Sequence, residues 1–163
     1  MQVGFISFSC VGEAQRSQRI YKHLSSHVKM AEKINLAHEL MRFKRVLKGM
    51  PRQKKIQFVF LFGSHARGKA TPLSDIDVGI YYEGDKKERF KFRLALMSKL
   101  PEYFDIQIYQ DLPLYIQPSV QGGRLLYARD ISFVYATAYE TIRRYGDFIK
   151  GYDEYIQRRK LFI

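Results

Sequence analysis

Residues Ile56 to Phe62 read IQFVFLF, and Gly63-Ser64 follows at once. A run this short with one polar residue is too apolar for a half-exposed strand and too brief for a buried helix. It predicts a central strand covered on both faces, broken by the glycine. A chain with such a strand must build a layer on each side of a sheet. The remaining pattern supplies the material. From Met30 to Met50 the residues Ile34, Leu36, Leu40, Phe43, Leu47 and Met50 recur every three or four positions, which predicts an amphipathic helix stopped by Pro51. Residues 65–74 read as a short helical turn and loop. Ile76–Tyr82 and Tyr103–Tyr109 read as further strands. Between them Lys86–Leu100 reads as a helix with Phe90, Leu94, Met97 and Leu100 on its apolar stripe. Residues 112–128 hold short pieces around Pro113, Pro118 and Gly122-Gly123. Ile131–Ile149 is a last helix, with a break at Gly151 and a helical tail to Ile163.

The implied class is α+β: a small mixed β-sheet of three or more strands with helices packed on it, strand order open. With 163 residues, one domain is expected. Residues 1–29, weakly periodic and rich in Ser, Arg, His and Gln, read as an N-terminal arm outside it. Residues 30–130 form the domain proper, and 131–163 a helical segment packing on it.

Composition narrows the class further. No stretch approaches the ~20 apolar residues of a membrane-spanning helix. The apolar opening, Met1 to Val11, lacks the basic start and small-residue cleavage site of a signal peptide. The single cysteine, Cys10, excludes an internal disulfide and a multi-cysteine zinc site, and a cytoplasmic location is expected. The net charge of +12 is uneven: residues 1–55 carry 12 basic and 3 acidic side chains, residues 56–128 carry 9 and 8. A basic first third suits a polyanionic partner, RNA, DNA or an acidic protein, or simply a solvated basic face.

Chemistry emerges from strand alternation. In residues 74–80, Ile76, Val78 and Ile80 share one face and Asp75, Asp77 and Gly79 the other. In residues 104–108, Phe104, Ile106 and Ile108 oppose Asp105 and Gln107. If the two strands lie in one sheet, Asp75, Asp77 and Asp105 converge. Three clustered carboxylates repel one another until a cation neutralises them, and hard oxygen donors suit Mg²⁺. Taken singly, each aspartate also fits an ordinary solvent-facing position. Gly63-Ser64, directly after a buried strand, reads as a phosphate cradle or as a strand-to-helix turn that needs glycine.

Together these residues resemble a known family. Leu61-Phe62-Gly63-Ser64-His65-Ala66-Arg67-Gly68, then Ser74-Asp75-Ile76-Asp77-Val78, is similar to the signature of the DNA polymerase beta-like nucleotidyltransferase superfamily. The Gly-Ser-x10-Asp-x-Asp spacing looks most like its minimal nucleotidyltransferase (MNT) branch, as in HEPN/MNT antitoxins. The likeness runs over about residues 30–130, including Leu126-Tyr127-Ala128-Arg129-Asp130, similar to the family's lead-in to its last helix. The resemblance implies that Gly63 and Ser64 hold the β- and γ-phosphates of an NTP. It implies that Asp75 and Asp77 bind two Mg²⁺ ions, and that Asp105 is the third carboxylate and helps deprotonate the acceptor. Arg67 would pair with a carboxylate or contact phosphate. The implied reaction moves NMP, AMP from ATP above all, to a hydroxyl, with a tyrosine of a HEPN toxin as one acceptor. The alternatives are a turnover-deficient module binding a toxin or nucleic acid, and transfer to RNA or a small molecule.

Other residues carry weaker signals. Arg16, His23 and His27 faintly resemble a ribonuclease element, without its surroundings. His65 reads as an exposed loop histidine and His38 as a surface residue. Phe58, Phe60, Phe62, Phe90 and Phe104 read as core. Tyr135, Tyr139 and Tyr145 read as core packing, with a partner or dimer surface as the alternative.

Overall fold

A computed structural model describes residues 35–160; the expected arm 1–29 and the first residues of the helix expected from Met30 lie outside them. Helix α1 runs Leu36–Lys48. Asn35 caps it, accepting from the His38 amide at 3.2 Å. Strand β1 is Ile56–Leu61, α2 is the single turn Gly63–Ala66, and β2 is Ile76–Tyr82. Helix α3 spans Lys86–Met97 and β3 spans Phe104–Ile108. A short α4 (Gln117–Gln121), strand β4 (Arg124–Ala128) and the long α5 (Ile131–Lys160) complete the order.

The sheet order is β3-β2-β1-β4. Strand β1 pairs antiparallel with β2 and β4, and β2 pairs parallel with β3. Every residue of β1 is buried, as its apolar run predicts. The fourth strand was not foreseen. Arg124–Ala128 has a weak alternation, and only its place against β1 makes it a strand.

Both sheet faces are covered, by different means. Ile76, Val78, Ile80, Phe104, Ile106 and Ile108 point to the side of α1 and α3. There Phe43 stacks on Phe104 with ring centroids 5.9 Å apart, and Phe92 stacks on Tyr82 at 4.2 Å. On the opposite face Phe58 and Phe60 join Tyr109, Val120 and Val134 beneath α4 and the start of α5. Each such buried side chain contributes roughly 1.5–3 kcal/mol by leaving water. Tyr109 and Thr141 share a 2.6 Å hydroxyl–hydroxyl hydrogen bond that ties α5 to the turn after β3.

Three sequence expectations are corrected. Phe90, Leu94 and Met97 do not face the core; α3 buries Phe92 and Leu96 instead, so Phe90 is not core. Its rotation is set by the Tyr82–Phe92 stack and by ion pairs that hold its flank, Arg89 to Asp111 at 2.6 Å and Glu88 to Lys55 at 3.0 Å. Tyr135 and Tyr139 are 69% and 71% exposed, so the core reading fails for them. Gly151 does not break α5, which runs unbroken to Lys160. No described helix is long and apolar enough to cross a membrane.

A cross-sheet close approach sits at Gly79. A Cβ there would meet Val120 Cγ1 at 2.5 Å, so α4 is seated on β2 through the missing side chain. Gly79→Ala should lower stability by about 1–3 kcal/mol in urea unfolding. Combining it with Val120→Ala should cost less than the two single changes added together.

Candidate active site

The acidic face of β2 and β3 lies at the end of the sheet where β1 runs into α2. In the parallel register Asp77 sits directly beside Asp105, and Gly79 beside Gln107. Asp75 precedes β2 and is exposed, whereas Asp77 is half-buried. Of the three expected carboxylates, Asp77 and Asp105 are brought side by side, and Asp75, ahead of the strand, is near enough for its charge to act on Asp77. Burial pushes the Asp77 carboxyl above its ordinary value, and the charges of Asp105 and Asp75 push it the same way. His65 and Arg67 act on Asp77 in the opposite sense.

Gly63 sits against this cluster. Its φ is +68°, a conformation side chains disfavour, and a Cβ on it would collide with the Asp77 carboxylate. The Phe62 amide donates to the Asp77 carbonyl at 3.0 Å, which locks the end of β1 to the acidic strand. Both constraints make glycine obligatory where β1 turns into α2. Ser64 follows in the first turn of α2, half-buried, with its carbonyl accepting from the Lys69 amide at 3.0 Å. The leading amides of a helical turn have no intrahelical acceptor, and here they open beside the carboxylates. Arg67 is exposed at the end of α2 and forms no ion pair among the described residues, so the carboxylate pairing expected for it is absent there.

Three further residues shape the site. Gln107 Nε2 donates to both oxygens of Asp105, at 2.7 and 2.9 Å. The alternation that puts Asp105 on this face puts Gln107 beside it, so that neighbour was legible. Arg93 was not: it reaches across from α3, donating through Nε to the Ile106 carbonyl at 2.5 Å, with Nη2 4.0 Å from Asp105. His65 is a half-buried residue of α2 rather than an exposed loop histidine; its Nε2 donates to the Ser74 carbonyl at 3.1 Å. Ser74 in turn accepts from the Thr71 amide at 2.8 Å, so the loop leading to Asp75 is pinned at both ends.

Among the described residues no three acidic, His or Cys side chains are already gathered as a metal-holding set. Asp105 is engaged by Gln107, and Asp75 is exposed ahead of the strand. The site nevertheless fits a hard dication: its donors are carboxylate oxygens, and at Asp77 burial and the charges of Asp105 and Asp75 outweigh the opposing charges of His65 and Arg67.

The sequence model of the family described as Polymerase beta, Nucleotidyltransferase matches residues 44–132, more than half of the chain. The chain belongs to this nucleotidyltransferase family. A Methanocaldococcus jannaschii protein provisionally named protein adenylyltransferase MJ1547 is 33% identical over 66 residues. That match takes in 40% of this chain, which spans half the length of that relative. Among solved structures, a chain of a toxin–antitoxin complex with AMP-PNP superposes with a TM-score of 0.59 at 21% identity. It covers 73% of this chain and 96% of its own. A chain from the complex of tri-AMPylated Shewanella oneidensis HEPN toxin with MNT antitoxin gives 0.56 at 19% identity, covering 75% and 96%. At these identities the likeness establishes the nucleotidyltransferase fold.

Asp77 gives this site a pH signature. Its folded-state carboxyl titrates above the unfolded one, so its ionisation costs the fold stability at neutral pH. That cost disappears as pH falls through the raised value to the ordinary carboxylate range. Asp77→Asn should therefore melt higher than wild type near pH 7, with the gap closing in acid. Added Mg²⁺ should raise the melting temperature of wild type and leave that of Asp77→Asn nearly unmoved.

Proposed function

We propose that this nucleotidyltransferase transfers AMP from ATP to a protein hydroxyl, with a tyrosine of a HEPN toxin as the acceptor, and so acts as an antitoxin. The observation that carries the reading is the Asp77–Asp105 pairing in register beside the glycine turn. The relative named for protein adenylylation and the toxin–antitoxin complexes of the same fold support the choice of acceptor.

In this reading the turn at Gly63 and Ser64 binds the β- and γ-phosphates through its open amides and the Ser64 hydroxyl. Asp75, Asp77 and Asp105 would hold the Mg²⁺ ions, two by the family's pattern. When bound, Mg²⁺ supplies charge neutralisation for the phosphates and for the leaving pyrophosphate. Asp105 takes the proton of the acceptor hydroxyl. The acceptor oxygen then bonds to the α-phosphorus as the bond to the β-phosphate oxygen breaks. Gln107 orients the Asp105 carboxylate towards that task from the same strand face. His65 keeps the phosphate turn and the Asp75 loop in fixed relation through Ser74. Arg67, exposed beside the cluster, is free to meet phosphate. Most of the catalysis is positioning and charge stabilisation, as phosphoryl chemistry requires.

The decisive experiment incubates the protein with α-labelled ATP, Mg²⁺ and a HEPN protein, and follows label on the partner. Wild type should label a tyrosine. Asp77→Asn should lose at least about 100-fold in rate, beyond what disturbing a metal's outer support costs. Tight complex formation with no label transfer, unchanged by Asp77→Asn, would instead establish a binding module that has lost turnover.

A further inference from the structure

The glycine turn, Asp77 and Asp105 stand level across three neighbouring strands. The Phe62 amide at the end of β1 meets the Asp77 carbonyl, and Asp77 is in register with Asp105. At about 4.8 Å per strand, the turn and Asp105 lie roughly 10 Å apart, with Asp77 between them. Displacement at phosphorus runs in line, with the attacking oxygen opposite the leaving one. With the β- and γ-phosphates at Gly63 and Ser64, the leaving oxygen is on the β1 side, and the acceptor hydroxyl must arrive over β3. The adenosine hangs from the same phosphorus across that line. The space beyond Asp105 therefore belongs to the acceptor, and β3 is the outer strand of the described sheet.

One cation stands in that space. Arg93 of α3 donates through Nε to the Ile106 carbonyl of β3 at 2.5 Å, which fixes one corner of its guanidinium. Its Nη2 is 4.0 Å from Asp105 Oδ1, beyond hydrogen-bond distance, and both Asp105 oxygens are already taken by Gln107. The two Nη groups donate no hydrogen bond among the described residues. The Arg93 side chain is 32% exposed and that of Asp105 40%, so both open to solvent side by side. Capping the Ile106 carbonyl needs a single donor. A guanidinium anchored at Nε with its fork unspent has in addition the geometry that grips a carboxylate through two parallel bonds.

We infer that Arg93 binds a carboxylate of the acceptor protein, next to the hydroxyl that receives AMP, so that the enzyme selects hydroxyls in acidic surroundings. The inference rests on the transferase reading above and names the kind of acceptor that reading requires. The distances set the reach. A hydroxyl about 3 Å from Asp105 lies within roughly 7 Å of Nη2, and a carboxylate on Nη2 within roughly 10 Å of that hydroxyl. A neighbour in the acceptor's chain, or a residue one helical turn away, spans that distance. The phosphates of ATP are held at the far side of Asp77, so they do not compete for this fork. The net charge of +12 favours the approach of an acidic segment.

Steady-state kinetics with α-labelled ATP, Mg²⁺ and the acceptor protein, varying each substrate in turn, test this. Arg93→Gln should raise KM for the acceptor at least about tenfold, the loss expected for a hydrogen-bonded charge pair, and leave KM for ATP within about twofold. Arg93→Lys should recover part of the loss, because it keeps the charge without the fork. On the acceptor, each carboxylate within about 10 Å of the labelled hydroxyl is changed to its amide. One such change should raise KM with wild-type enzyme as Arg93→Gln does, and add little when the two are combined. This arm leaves the enzyme intact, so it decides the question even if Arg93→Gln unfolds. An unchanged acceptor KM, a rise in KM for ATP alone, a fall in kcat alone, or no acceptor carboxylate whose loss is felt overturns the inference and leaves the transferase reading standing. Wild type that labels no acceptor overturns that reading, and this inference with it.

Discussion

Two carboxylates held side by side in neighbouring strands, against their own repulsion, are the constraint on which this structure turns. Asp77 and Asp105 occupy matched positions of the parallel β2–β3 pair. Gln107 satisfies Asp105, but burial and like charge outweigh the opposing charges of His65 and Arg67 at Asp77. The arrangement is imposed from the other side of the sheet. Each residue flanking the aspartates points into the apolar layer beneath α1 and α3, and a one-residue slip would expose all of it. The core thus holds the two carboxylates in a geometry their own repulsion disfavours.

Gly63 couples this acidic pair to the turn that opens α2. It is the point where β1 must turn sharply and where the Asp77 carboxylate leaves no room for a side chain. One residue therefore answers to backbone conformation and to site geometry at once. The hydrogen bond from Phe62 to Asp77 and the one from His65 to Ser74 bracket it, so the turn and the carboxylates move together or not at all. The binding energy of a nucleotide can then be spent on alignment rather than on assembling the pocket.

The long last helix sets the opposite problem. Its first part buries Val134 and Thr141 on the sheet and ties Thr141 to Tyr109. Along the same helix Tyr135, Tyr139 and Ile142 stay largely exposed.

Much of this was written locally. The run IQFVFLF determined a central strand, Gly63-Ser64 its abrupt end, and strand alternation the common side of Asp75, Asp77 and Asp105, because each depends only on neighbours one to four residues away. Asp105 gained its meaning from β3 pairing parallel beside β2, a contact between residues far apart in the chain. Strand β4 exists because β1 had a free edge to satisfy; its own five residues carry too little pattern. Helix α3 reads in sequence as burying Phe90, Leu94, Met97 and Leu100, whereas the structure buries Phe92 and Leu96. The choice fell to the Tyr82 ring and the ion pairs of Glu88 and Arg89, which exist only once the sheet is assembled. Hydrophobic periodicity states that a face will be covered; which layer covers it is decided by packing at long range.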